Sequence, residues 1–311
     1  MKRIAGSKNF RQIAVPLIAA LVWGVSFVAQ KVSTMGAFFF DASRSFVAVI
    51  FLLFLILILT KGDVKHLLSE KTKKETAALW TGGFVTGLFL TFAMYAQQQG
   101  MNSGTDAGKA GFLTALYVVL VPVFSIFFRK KTPVLTWVAV AVALVGLYFL
   151  SIKAGSGFSI EGSDLLLLLS AFLYAFQIIF VGKYATVSHP VKLSCLMFLF
   201  CTVISLILGF IFEKFSFAAV AENLWPILYL GVVSSGIGYT LQMVAEKGTN
   251  AAVVSLFMAM ESVFSVIAGA IFLHERMTGR EYLGAGIMLV AVVLNVLGPI
   301  VENRRKKAEG T

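Results

Sequence analysis

Charged side chains are scarce in this 311-residue sequence: Asp, Glu, Lys and Arg make up 13% of it, against 59% hydrophobic residues. A water-soluble domain carries about 25% charged residues, so this chain has too little polar surface to cover a globule in water. Cysteine and histidine are scarcer still, with two and three copies. Cys195 and Cys201 stand six apart in one apolar stretch. That spacing suits neither a disulfide nor a metal site and points to buried apolar thiols. His66, His189 and His274 are dispersed in polar connections, far from a zinc-binding spacing. No nucleophile elbow, phosphate-binding loop or catalytic carboxylate pair occurs. Enzyme activity, ATP-driven work, a metal site and a bound cofactor therefore find no residues to carry them.

Apolar runs dominate instead. Ten stretches of roughly 20 residues, the length that crosses a bilayer core, follow one another at 13–30, 43–60, 77–96, 109–128, 134–152, 164–182, 192–212, 224–243, 250–272 and 280–298. The first follows a basic segment, as a secretory leader would. It has a counterpart later in the chain, so it reads as a retained helix. The net charge of +11 is unevenly spread. With the N-terminus placed in the cytoplasm and the connections alternating, 19 of the 26 Lys and Arg fall inside, the positive-inside pattern. These side chains set orientation and meet anionic lipid headgroups. No nucleic-acid-reading motif accompanies them, so nucleic acid is not an expected partner.

The polar residues inside the runs form a pattern that occurs twice. Gly87, Thr91, Tyr95 and Gln98 recur 144 residues later as Gly231, Ser235, Tyr239 and Gln242. Spacings of four, four and three put each set on one helix face. Trp23, Ser26 and Gln30 align with Tyr174, Gln177 and Val181 at an offset of 151, and Pro122 to Ser125 align with Ser262 to Ser265 at an offset of 140. Five runs lie in residues 1–152 and five in 153–311. An odd count forces the second set to enter the bilayer from the opposite side. The expected fold is all-α and integral to the membrane: ten transmembrane helices forming two inverted five-helix repeats within one membrane domain. Thr105 or Asp106 is placed to cap the fourth helix, and Thr249 or Asn250 the ninth.

Glu261 stands near the middle of the ninth run. A charged residue there costs roughly 2.5–3.5 kcal/mol on insertion scales, and such residues are functional hypotheses by default. It can carry a proton, meet a substrate ammonium, or do both in exchange. The competing role is a hydrogen bond joining helices, with Ser265 one turn away as a partner. The faces Trp23–Ser26, Thr91–Tyr95, Thr114–Tyr117, Tyr174–Gln177 and Ser235–Tyr239 offer hydroxyl, amide and indole groups to a shared substrate cavity. Gln30, Gln98 and Gln242 lie near run ends and read as interfacial. Arg44 is placed to bind a substrate carboxylate, to snorkel, or to pair with Asp41. Lys109 reads as a solvated helix end or a partner of Asp106. Glu246-Lys247 and His274-Glu275-Arg276 read as loop charge.

In order along the chain, the distinguishing stretches are Ala20-Leu-Val-Trp23-Gly24-Val-Ser-Phe27, Arg44, Gly108-Lys-Ala-Gly-Phe-Leu-Thr-Ala-Leu-Tyr117 with Val121-Pro122, Tyr239 and Gln242 before Thr249-Asn-Ala-Ala, Met260-Glu261-Ser262-Val-Phe, and Phe272-Leu-His-Glu275. In these the chain resembles the ten-helix EamA-type branch of the drug/metabolite transporter superfamily, over nearly all of residues 13–298. The family usually carries Glu-Pro in the ninth helix. Ser262 replaces that proline here, so an unbroken ninth helix is open to this chain. The resemblance implies small-molecule transport, usually efflux of amino acids or related metabolites; with the repeated halves and the distribution of basic residues, the expectation is a secondary-active transporter in the inner or plasma membrane with both termini cytoplasmic. It would export small polar metabolites such as amino acids by alternating access, as a monomer or a homodimer. A lipophilic drug or lipid flippase also fits the 13% aromatic content, and a channel or receptor is a third class.

Overall fold

The computed structural model describes residues 2–63, 67–105, 107–129, 132–152, 161–272 and 277–308. Helices carry the fold, and no strand occurs among the described residues. Six spans are single helices: α1 (Lys2–Lys31), α2 (Ala37–Leu59), α3 (Lys73–Asn102), α6 (Val134–Ser151), α7 (Gly162–Tyr184) and α8 (Pro190–Phe212). The last, α14 (Gly279–Ala308), is also continuous. The fourth span is split into α4 (Ala107–Ala115) and α5 (Tyr117–Phe127), and the ninth into α12 (Ala251–Met258) and α13 (Glu261–Phe272). After a short α9 (Phe217–Glu222), the eighth span runs through α10 (Leu224–Tyr229), a π-helix at Leu230–Gly238 and α11 (Tyr239–Glu246). Among the described residues, nine segments are long and apolar enough to cross a membrane, and Val134–Leu150 is a shorter apolar helix. The chain is an all-α integral membrane protein. Its outer shell is apolar: Phe54, Phe210 and Phe212 project from α2 and α8 fully enough to meet lipid.

Helix starts follow local chemistry. Thr72 accepts a hydrogen bond from the Glu75 amide while Glu75 accepts one from the Thr72 amide, both at 3.1 Å, a reciprocal cap for α3. Asn250 caps α12 by accepting from the Ala252 amide at 2.9 Å, as its position implied. Thr105 instead donates to Ser163 at 2.9 Å, and Asp106 lies outside the described residues.

Two helix starts are capped by carboxylates from other segments. Glu213, just past α8, accepts from the Phe38 and Phe39 amides of α2 at 2.9 and 3.0 Å. Glu70, beyond α2, accepts from the His189 amide at the start of α8 at 2.6 Å. Each carboxylate meets orphan donors and the positive end of a helix dipole. Glu213 therefore fastens the end of α8 to the start of α2, and Glu70, two residues before the Thr72 cap, fastens the start of α8 to that of α3. Helix contacts recur five spans apart. α3 packs on α7 as the eighth span packs on α1, α5 packs on α7 as α13 packs on α1, and α6 packs on α14.

Candidate functional site

The irregular spans meet at one cavity. It has about 50 Å³ of space wide enough for water, enough for a few water molecules at roughly 10–15 Å³ each. From α1 come Trp23, Ser26, Phe27 and Gln30, from α2 Arg44, and from α3 Gln97. α7 adds Tyr174, Gln177 and Ile178. The split fourth and ninth spans add Thr114, Tyr117, Met258 and Glu261, and the eighth adds Ser234, Tyr239 and Gln242.

Glu261 is 7% exposed and accepts a hydrogen bond from the Tyr117 hydroxyl at 3.0 Å. It is the first residue of α13, so the positive end of a half-helix supports its carboxylate. The ninth span breaks there without a proline. Met260 bonds back to Phe257 and Ser262 to Ala259, both at 3.2 Å; these three-residue steps are tighter than α-helix. An unbroken ninth helix is thus not what forms. Tyr117, rather than Ser265, is the donor to Glu261.

The π-helical stretch shapes the facing wall. Trp23 Nε1 donates to the Ser234 carbonyl at 3.3 Å, and its ring lies 4.8 Å from that of Tyr239. A side-chain carbon at Gly238 would come within 2.7 Å of Trp23 Nε1, so only glycine admits the indole. Across the cavity the Tyr174 hydroxyl donates to Gln97 Oε1 at 3.1 Å. Lower in the wall, Gln242 Nε2 donates to Gln177 Oε1 at 3.2 Å and to Glu246 Oε1 at 2.8 Å. With its amide so turned, Gln242 Oε1 is buried and has no hydrogen-bond partner among the described residues; the same holds for Gln30 Oε1. Both are acceptors that no donor among the described residues meets in this arrangement.

Of the residues picked from the sequence, Trp23, Ser26, Thr114, Tyr117, Tyr174, Gln177, Tyr239 and Glu261 come together here. Thr91, Tyr95 and Ser235 do not line the cavity. Thr91 is buried and donates to the Gly87 carbonyl at 2.8 Å, and Tyr95 stacks on Phe38 with centroids 3.9 Å apart. Ser235 is buried beside the lining Ser234. In the eighth span the duplicated pattern assumed α-helical pitch, and the π-helix at Leu230–Gly238 turns that face so that Ser234 and Tyr239 line the cavity together. On α3, Gln97 takes the inward position that Tyr95 was expected to hold.

Other expectations are corrected. Gln30 and Gln242 line the cavity rather than the interface, and the buried Gln98 donates to the Gln30 carbonyl at 3.4 Å and to Asn102 at 3.0 Å. Glu246 is fully buried and is no loop charge. Lys109 pairs with Asp164 at 2.6 Å instead of ending in solvent. Of the alternatives for Arg44, the pair with Asp41 is the one that forms, and Arg44 lines the cavity as well. Cys195 and Cys201, by contrast, are free and buried, as their spacing implied. His274, Glu275 and Arg276 lie outside the described residues. Phe27, Ile178, Ser234 and Met258 carry no sequence signal that separates them from packing residues.

The family described as EamA-like transporters matches residues 11–152 and again residues 162–297. An uncharacterized transporter of Archaeoglobus fulgidus is 26% identical over 94% of this chain and 89% of its own length. The uncharacterized inner membrane transporter YedA of Escherichia coli is 25% identical over 65% of each chain. The threonine/homoserine exporter RhtA of Salmonella typhimurium is 29% identical over 60% of this chain and 61% of its own. One solved crystal structure superposes with a TM-score of 0.75 over 94% of this chain and 98% of that one, at 15% identity, a likeness of fold.

Proposed function

The chain belongs to the EamA-like transporter family, and from that premise we propose that it is a secondary-active carrier exporting small polar metabolites such as amino acids by alternating access. The observation that carries the proposal is Glu261: a buried carboxylate at the start of a half-helix, facing a cavity of hydroxyls and amides. Broken helices around a midplane site are the usual construction of such carriers. In this reading Glu261 exchanges a proton for the ammonium of the substrate. The acceptors Gln30 Oε1 and Gln242 Oε1 take its remaining donors.

The double family match and the helix contacts that recur five spans apart support two inverted five-helix repeats, residues 1–152 and 153–311, that rock about the cavity. The inner membrane named for one relative, and the 19 basic residues on one side, support a multi-pass protein with both termini in the cytoplasm. The name of the threonine/homoserine exporter supplies the first probes.

The test is counterflow. Proteoliposomes holding the purified protein and loaded with unlabelled L-threonine should accumulate labelled L-threonine or L-homoserine saturably. Ion conductance without saturable exchange would make the protein a channel and overturn the proposal. Movement of a lipophilic dye or lipid in place of every amino acid would make it a flippase.

A further inference from the structure

Arg44 and Asp41 occupy one turn of α2, and both are buried inside the span, at 4% and 0% exposure. Arg44 Nη2 lies 2.9 Å from Asp41 Oδ1. The contact is a poor one: both Asp41 oxygens and Arg44 Nε are buried without a hydrogen-bond partner among the described residues. One charge neutralises the other, yet neither is satisfied. A guanidinium offers five donors in a planar fork, and its preferred partner is a carboxylate held by two parallel bonds. Burying an ion pair is costly when its remaining donors and acceptors go unmet.

Arg44 also lines the cavity, in company with Tyr174 and Tyr239. Phe40 flanks the guanidinium at 5.9 Å. Asp41 is absent from the cavity wall. Arg44 thus belongs to the cavity wall while its Nε donor goes unused, and among the described residues the anion paired with it, Asp41, stands outside that wall and makes contact through one atom. Leaving Arg44 with no anion at all inside the membrane would be expensive.

We propose that Asp41 is a built-in counter-anion whose place on Arg44 is taken, during loading, by a carboxylate entering from the cavity. Arg44 is the anion-recognising residue of the site, and Asp41 is a positioning residue that holds it charged and turned inward while the cavity is empty. A ligand must out-compete an anion already present, so weakly matched molecules are rejected. The inference rests on the cavity being the transport site, but not on the identity of the substrate.

Its test needs only a small carboxylate. Thermal unfolding of the purified full-length protein is followed against sodium formate, with sodium chloride at equal ionic strength as reference. Asp41→Asn keeps the shape and removes the competing charge. Formate should stabilise this variant saturably, at about tenfold lower concentration than the wild type, because the fraction of Arg44 free to bind sets the apparent affinity. Asp41→Asn/Arg44→Gln should give no response beyond chloride. If Asp41→Asn responds no better than the double variant, the inference is wrong. Should Asp41→Asn fail to fold, Asp41→Ser takes its place. Should both fail, wild type decides: formate must stabilise it saturably and must not stabilise Arg44→Gln. Failed counterflow of threonine and homoserine with a positive formate result removes the substrate and keeps this site. The reverse pair of results keeps transport and removes the site.

Discussion

The Tyr117 hydroxyl reaches Glu261 Oε1 at 3.0 Å, and these two residues are the first of α5 and α13, the second pieces of the two split spans. One hydrogen bond therefore ties together both interruptions at the cavity wall. Tyr117→Phe keeps the ring and leaves a buried carboxylate oxygen unmet, a loss of about 1–3 kcal/mol. Melting of Tyr117→Phe, Glu261→Ala and the double variant should show coupling, the double costing less than the singles together. Simple additivity would show that the bond contributes nothing to stability.

Glu261→Gln should fold and exchange substrate, because the amide keeps the size and much of the hydrogen bonding of the acid. It cannot cycle a proton. Accumulation driven by a pH gradient across proteoliposomes should therefore be lost while counterflow persists. Gradient-driven accumulation at the wild-type level would remove Glu261 from the coupling step.

Tyr95 and Tyr239 are matched in sequence but not in position, so their variants should differ. Tyr239→Phe removes a hydroxyl from the cavity wall and should weaken transport with little change in melting temperature. Tyr95→Phe should leave transport intact, whereas Tyr95→Ala loses its stack on Phe38, worth about 0.5–1.5 kcal/mol beyond area burial. Equal transport defects in the two phenylalanine variants would contradict this geometry.

Gly231 lets the π-helix touch α2: an added side-chain carbon would meet Val47 Cβ at 2.6 Å and the Arg44 carbonyl at 2.8 Å. Gly231→Ala should destabilise by about 1–3 kcal/mol through overpacking. Gly286, with nothing within 4 Å of the same added carbon, is the control. Gly286→Ala should be neutral or gain up to about 0.5–1 kcal/mol from helix propensity. Similar melting temperatures for both variants would mean that the close contact at Gly231 is absent in the membrane.

Orientation can be read by labelling. Lys71 and Ser103 are exposed at opposite ends of α3, and both native cysteines are buried. Cysteines placed singly at these positions should react with an impermeant thiol reagent from opposite faces, Ser103→Cys from outside intact cells. Reaction of both from outside would overturn the proposed topology.

The spans were legible because apolar length is a strong signal, and eight of the cavity residues were legible because polar groups inside such runs are costly. What escaped was helix geometry. The π-helix at Leu230–Gly238 has no compositional mark beyond three glycines, so the four-residue rule drew in Ser235, and on the regular α3 it picked the face of Thr91 and Tyr95 where Gln97 turns inward. The break before Glu261 escaped because Ser262 carries no proline signal. Glu246 was hidden by its neighbours, since Lys247 and Gly248 look like a loop. In the fold its carboxylate accepts from Gln242, one turn back, a contact that the tertiary structure sets.

The two carboxylate caps on α2 and α8 have a mechanical consequence. A rod pinned at opposite ends to two neighbours resists sliding. A slip of α8 by one residue, about 1.5 Å along its axis, would stretch the bonds from Phe38 and Phe39 to Glu213 and from His189 to Glu70 at the same time. In the proposed transport cycle the displacement that opens the cavity is expected to leave α8 in register with the starts of α2 and α3 and to be taken up as tilting of the other helices, as panels swing on a fixed post.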